Sequence, residues 1–474
     1  MISVSNQRFG HRWRQNGYWF AYAAAGFFLF WQHSGSSDVG LTLTAAWNVS
    51  RGLVPYRDFF EFYTPGSFYV LGALFRVFGA SYLVAAIAAI VLVLSGGFAL
   101  KLASRDFLPR SLANAVPFLW LLLFAYYPLI NHNTFSLVAA AWAWVALQAA
   151  VRKKNLGWFG LAGAAAGATA WMLQTKGAVV VAAALLAMVL CYRTPWRSIG
   201  SYLAGLAVSL LPFVYWPLPV LYSTLVAFPL THYLAAADIS FTFLALALAA
   251  HGLCGLALWV DPNPPRSALA LWWLGAMLYA STVSLPDLHH VISNSWATVP
   301  LVLWQLHQFL DQRNWTRFGG VLLAVPPVSY FAALMLVFVV TSPSLLPARQ
   351  GLTVRQWLRL ENSAITELVA IVHQYVPPDG SLFAGPFLPG LYFEARRRNA
   401  TRFSHLLTSL HPPEFFVQAQ RDLAADPPDL VVVNYRLVEK YGYRRANPLD
   451  TYLAAHYRRF KQYGDVMVLI PAVR

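Results

Sequence analysis

Charge is what this chain has least of. Only 11% of its 474 residues are Asp, Glu, Lys or Arg, where a soluble globular protein carries about 25%. Acids are the scarcer sign, 19 against 34 Lys and Arg. Cysteine is nearly absent: Cys191 and Cys254 lie within or at the edge of apolar segments, which excludes a disulfide framework and a CxxC metal pair. HExxH spacing is missing as well. There is no internal repeat, no low-complexity tract, and none of the alternating patterning that builds an outer-membrane barrel.

Apolar sequence fills the space that charge leaves. The chain is 58% hydrophobic with a mean hydropathy of +0.51, and runs of 18 or more nearly uncharged residues recur along it. Each is long enough to cross a hydrocarbon core of about 30 Å. The composition predicts a polytopic α-helical membrane protein. About 11 spans are expected, near 17–33, 81–103, 111–130, 134–151, 156–173, 177–192, 198–216, 240–260, 267–285, 292–311 and 318–341. The basic N-terminus followed by an apolar run looks like a signal peptide, but no convincing cleavage site follows, so a retained first helix is expected. Small-residue patches such as GLAGAAAGATA (160–170) suit close helix packing in a bilayer.

Lys and Arg set the orientation. With a cytoplasmic N-terminus, short inner segments hold 14 of them and outer segments hold 4: Arg51, Arg57, Arg76 and Lys176. The net charge of +15 is thus spent in loops beside spans and in the C-terminal region, and a nucleic-acid partner is not expected. This topology keeps 217–239 as an interfacial or re-entrant wall. It places everything after Thr341 outside, as a small α/β domain over 344–474 following a membrane domain over 1–343. Thr353 can cap a helix running to Tyr375, with Val354, Trp357 and Leu358 on its apolar side. Strands are expected at 381–384, 430–434 and 466–470, in a domain large enough to bury its own core.

The first outer loop, 36–79, breaks the pattern. It gathers Asp38, Asp58, Glu61, Arg51 and Arg57 beside a membrane, where ionisable groups are costly and a functional site is the default reading. A helix over 39–50 and a second, interfacial run from Gly66 would wall a cavity at the lipid–water boundary. Asp38 can take a proton from an acceptor hydroxyl or simply cap the helix that follows. Arg57 can bind an anion while Asp58 or Glu61 positions a sugar; the alternative is a local ion pair that tethers the loop. Arg51 and Arg76 fit headgroup anchors. Lys176, in QTKG, either snorkels or faces a phosphate. Asp287, His289 and His290 form a polar knot that can hydrogen-bond acceptor or phosphate, or cap a helix; metal ligation ranks below these. Asn131, His132 and Asn133 carry a weaker signal of the same kind.

These segments resemble the GT-C superfamily of membrane glycosyltransferases, in the branch related to protein O-mannosyltransferases and lipid A glycosyltransferases. The likeness is carried by SDVG (37–40), RGLVPYRDFFEFYTPGSFYVLGALFRVFG (51–79), QTKG (174–177), PDLHH (286–290), GPFLPGLYFEARRRNATRF (385–403) and PPDLVVVN (427–434). It implies an inverting enzyme of a bacterial inner membrane that uses a polyprenyl-phosphate sugar and an acceptor on a glycolipid, polysaccharide or protein. Asp38 would be the catalytic base, Arg57 and Lys176 the donor-phosphate partners, and Asp58, Glu61, Asp287, His289 and His290 acceptor or donor contacts. Many relatives carry a second acid beside the first, whereas Val39 follows Asp38 here, leaving Asp58 as the second carboxylate. No cofactor and no metal ligand are predicted; a divalent cation is compatible with the pattern. The competing reading is a transporter or flippase of lipid-linked saccharides, which would need charge near the bilayer midplane. The span centres here are nearly free of it.

Overall fold

The structure is a computed structural model that describes residues 16–27, 37–125, 130–233, 241–283, 285–311, 317–341 and 363–472. Helix α1 covers 16–27. Two shorter helices, α2 (Ser37–Ser50) and α3 (Gly66–Phe78), precede a run of apolar helices. These are α4 (Tyr82–Ser104), α5 (Arg110–Ala125), α6 (His132–Lys153), α7 (Leu156–Met172), α8 (Gln174–Leu186) and α9 (Trp196–Leu210). Side-chain caps start several of them: Ser81 accepts from the Val84 amide, Asn131 from Thr134, and Asn155 from Gly157 and Trp158.

Five helices among the described residues are long and apolar enough to cross a bilayer: Tyr82–Ser104, His132–Lys153, Gln174–Cys191, Trp196–Tyr215 and Thr242–Val260. The other expected spans are shorter, interrupted or only partly described. Pro117 sits inside α5, and α12 (Arg266–Ala280) has 15 residues. The single span expected over 292–311 is instead α13 (Leu288–Asn294), a 3₁₀ turn (Ser295–Ala297) and α14 (Val299–Asp311). The break has a local cause. The side chains of Asn294 and Ser295 donate to the His290 and Val291 carbonyls one turn back, and Pro300 offers no amide to the turn that follows.

The small-residue patch of α7 packs as expected. A Cβ on Gly163 would come within 1.8 Å of the Tyr202 carbonyl oxygen, and one on Gly205 within 1.9 Å of the Gly160 carbonyl. The two helix backbones touch, which only glycine allows. Within the stretch 217–239, residues 218–233 are helical: α10 (Leu218–Tyr222) continues through π turns over Ser223–Ala227 and Pro229–Tyr233. Phe228 reaches inward to Phe60 and Phe62, with ring centroids 5.2 and 5.1 Å away. Helix α11 (Thr242–Val260) and α15 (Arg317–Thr341) complete the bundle.

The C-terminal region holds a mixed five-stranded sheet of order β2-β1-β3-β5-β4, built from Ser381–Gly385 (β1), Arg398–Asn399 (β2), Leu430–Val433 (β3), Tyr457–Tyr463 (β4) and Val466–Pro471 (β5). β1 runs parallel to β2 and β3, and β5 is antiparallel to β3 and β4. Alternate residues face opposite sides. Leu382, Leu430 and Val432 meet α16 (Ser363–Tyr375) and α17 (Gly390–Ala395), while Phe383, Val431 and Val433 meet α18 (Pro413–Ala425). The expected strands are present within a residue. β4 escapes the sequence because it is an exposed, charged edge strand, YRRFKQY, without an apolar face. Thr353, Val354, Trp357, Leu358 and the expected boundary at 343/344 lie outside the described residues.

One sheet face is buried wholly by residues of the C-terminal region, while the other also packs against Phe60, Phe62 and Phe228 from the membrane half. Phe75 and Phe393 likewise meet at 5.5 Å.

Candidate active site

The loop between α2 and α3 is held at many points. Tyr56 adopts a left-handed backbone, φ 68°, a costly conformation for an aromatic residue. Its amide donates to Phe59 and its hydroxyl to the Tyr63 carbonyl. Gln174 of the QTKG turn donates to the Phe62 carbonyl and accepts from the Thr64 amide. The Trp216 indole donates to the Pro55 carbonyl at 3.0 Å. From the C-terminal region, Arg402 donates to the Tyr56 carbonyl at 2.8 Å, and its own carbonyl accepts from Phe60. Such a loop presents its side chains in fixed directions.

Those side chains open onto a cavity of about 570 Å³, within the usual range for small-molecule sites. Asp38 and Thr42 line it from α2, and Glu61, Phe62 and Tyr63 from the loop. Asn131, His132 and Asn133 come from the start of α6, and Asp287, His289 and His290 from the start of α13. Phe387, His405, Leu407, Lys440 and Tyr441 close it from the C-terminal side. Of the predicted residues, Asp38, Glu61, Asp287, His289 and His290 therefore share one space.

Asp38 sits in the first turn of α2 (Ser37–Ser50). Burial raises its carboxyl above the ordinary range, opposed by the charges of His290 and Lys440 and reinforced by Asp287. A carboxylate so placed is a stronger base than one in water. Asp287 caps α13 by accepting from the His290 amide, and both its oxygens lie 2.9 Å from His290 Nδ1. Although burial works against it, the His290 contacts hold the Asp287 carboxyl below its usual value. As an ionised carboxylate can only accept, His290 Nδ1 carries the proton, and the dyad fixes the ring. Burial lowers His289 and takes His405 down to about 4, so His405 is neutral at physiological pH.

Glu61 is not the loop's ion pair and lines the cavity instead. It is 3% exposed and forms no ion pair among the described residues; burial alone pushes its carboxyl up to about 8. It enters the cavity wall as a neutral acid, able to donate one hydrogen bond. The tether is the neighbouring pair. Arg57 and Asp58 join two-pronged at 2.8 Å, and Asp58 also accepts from the Val54 amide at 2.7 Å. That hydrogen bonding to Arg57 holds the Asp58 carboxyl below its usual range.

Three predicted site residues are not on the cavity wall: Arg57, Asp58 and Lys176. The Arg57 side chain is 59% exposed and its fork is taken by Asp58. Lys176 is buried, and its ammonium donates to the Ser281 hydroxyl at 2.5 Å. Arg76 donates to the Ser50 and Val49 carbonyls at the end of α2, where it caps the helix C-terminus. Arg51 lies 3.7 Å over the Trp47 ring. Cavity residues with little or no signal in the sequence include Tyr63, stacked on His132 at 3.7 Å, Tyr233, His405 and Lys440. Among the described residues, no group of three His, Cys, Asp or Glu is placed to hold a metal ion.

No protein-family model matches the chain, and no curated protein is similar to it in sequence. Solved structures are similar in fold. ArnT from Cupriavidus metallidurans bound to undecaprenyl phosphate superposes with a TM-score of 0.59 at 12% identity, over 95% of this chain and 97% of that one. Its apo state gives 0.59 at 13% identity, over 96% and 98%. The oligosaccharyltransferase AglB from Archaeoglobus fulgidus, in complex with an inhibitory peptide and a dolichol-phosphate, gives 0.54 at 9% identity, over 96% and 74%. Nearly the whole chain therefore takes the GT-C fold that ArnT and AglB share.

Proposed function

We propose that this chain is a membrane glycosyltransferase that moves a sugar from a polyprenyl-phosphate donor to a hydroxyl of a glycolipid, polysaccharide or protein acceptor. The observation that carries the reading is one cavity in which a half-buried aspartate, an Asp–His dyad and a neutral glutamic acid meet between apolar helices and the C-terminal sheet region. Support comes from the bound ligands of the fold neighbours, an undecaprenyl phosphate in ArnT and a dolichol-phosphate in AglB.

In this reading Asp38 takes the acceptor proton as the hydroxyl oxygen bonds to the anomeric carbon. The bond from that carbon to the phosphate oxygen breaks on the opposite face, the configuration inverts, and the lipid phosphate leaves with the electron pair. His290, held by Asp287, and the neutral Glu61 hydrogen-bond the sugar or acceptor hydroxyls. The chain lies in a bacterial inner membrane with its N-terminus cytoplasmic. Residues 344–474 form an extracytoplasmic domain that covers the cavity and selects the acceptor.

The test is a set of radiolabelled polyprenyl-phosphate sugars presented to the protein in reconstituted vesicles with candidate acceptors. Labelled acceptor, with one polyprenyl phosphate released per sugar transferred, is the expected result. Movement of intact lipid-linked sugar across the bilayer, with no product from any donor, would overturn the reading in favour of a flippase.

A further inference from the structure

A leaving phosphate needs a cation, and the two residues that the sequence offered for this, Arg57 and Lys176, are both off the cavity wall. Among the described residues that line the cavity, one alone is a lysine or arginine: Lys440. We propose that Lys440, brought in by the C-terminal region, holds the phosphate of the lipid-linked donor. This rests on the glycosyltransferase reading above and assigns it a residue outside the membrane half.

Three observations carry the assignment. Lys440 is exposed, and its ammonium lies 4.8 Å over the ring of Tyr441, which also lines the cavity. No carboxylate among the described residues forms an ion pair with it, whereas the Arg57 fork is closed by Asp58. Its charge reaches Asp38 across the cavity, so an anion bound at Lys440 lies within the field of the base.

The segment bearing Lys440 is also held in place, as a binding residue requires. Lys440 directly follows helix α19 (Arg436–Glu439). The buried Asp450 carboxylate accepts from the Tyr435 hydroxyl at 2.5 Å, the Tyr443 hydroxyl at 2.8 Å and the Asn447 amide at 2.7 Å. The Arg444 amide donates to the Thr408 hydroxyl at 2.8 Å, joining this segment to the 405–410 wall. The segment that carries Lys440 is thereby held from both sides, and a lysine suits a phosphate as a point charge with three donors.

The experiment measures binding of undecaprenyl phosphate, without sugar or acceptor, to the purified protein in detergent. Wild type, Lys440→Met and Lys440→Arg are compared, with undecaprenol and inorganic phosphate as control ligands. Lys440→Met should bind undecaprenyl phosphate about tenfold or more weakly than wild type. Lys440→Arg should stay within about threefold of it, and undecaprenol should not distinguish the three. Equal thermal stability of the variants confirms that they fold. If Lys440→Met holds undecaprenyl phosphate as tightly as wild type, the assignment is wrong, including where the loss appears only with a phosphate-bearing acceptor. If wild type does not bind undecaprenyl phosphate at all, the glycosyltransferase reading falls, and the assignment with it.

Discussion

Gly40 and Gly390 meet backbone to backbone. A Cβ on Gly40 would come within 2.6 Å of the Gly390 nitrogen, and one turn along α2 the Thr44 hydroxyl donates to the Pro389 carbonyl at 2.7 Å. The helix that carries Asp38 is therefore seated directly on the C-terminal region, far away in sequence. No smaller residue exists, so this contact is intolerant of change. Gly40→Val should separate α2 from α17, lowering stability by about 1–3 kcal/mol and sugar transfer with it. Thermal unfolding in detergent would report it. Unchanged unfolding would mean that the contact is not closed in solution.

Glu61 makes stability depend on pH. The folded chain keeps its proton up to about 8, while the unfolded chain releases it near the ordinary value of 4.5. Between those values the unfolded state binds fewer protons than the native state. Its contribution is therefore fully present below 4.5, declines as pH rises through the window, and is constant above about 8. The decline is on the order of a few kcal/mol. Glu61→Gln, which keeps the shape without the ionisation, should flatten the fall in melting temperature between pH 5 and 8.5.

Asp287 does two jobs that one substitution separates. Asparagine is as good an N-cap as aspartate, so Asp287→Asn should leave stability within about 0.5 kcal/mol while removing the charge that holds His290. Sugar transfer should fall by about tenfold or more. Asp287→Ala should lose both, with about 1 kcal/mol of stability from the missing cap.

Arg57→Gln should cost little. An exposed ion pair contributes little to stability, and the Asp58 carboxylate still accepts from the Val54 amide. Transfer rates within about threefold of wild type are expected. A loss of a hundredfold would return Arg57 to the site.

The continuous apolar runs made α4, α6 and α11 legible from sequence alone, because nothing within them competes with a span. The stretch at 292–311 was not, since hydropathy does not register that Asn294 and Ser295 bond back to the chain and break the helix. Within the site, the acids and histidines at the starts of α2 and α13 and in the loop after α2 stand out against a nearly uncharged background. That contrast pointed to Asp38, Glu61, Asp287, His289 and His290 before their convergence was known. The state of Glu61 was hidden, because sequence does not tell a paired carboxylate from a buried neutral one. Lys440 and His405 carry no motif at all. They reach the cavity only through the docking of the C-terminal region onto α2, a tertiary event that local pattern does not encode.

The central claim is that the Asp38 carboxylate accepts the proton of the attacking hydroxyl. Its most direct test is the rate of sugar transfer by Asp38→Asn at saturating donor and acceptor, beside its affinity for undecaprenyl phosphate. A fall of about a hundredfold to ten-thousandfold in rate with donor-lipid affinity retained is the predicted result. Transfer at the wild-type rate would contradict it.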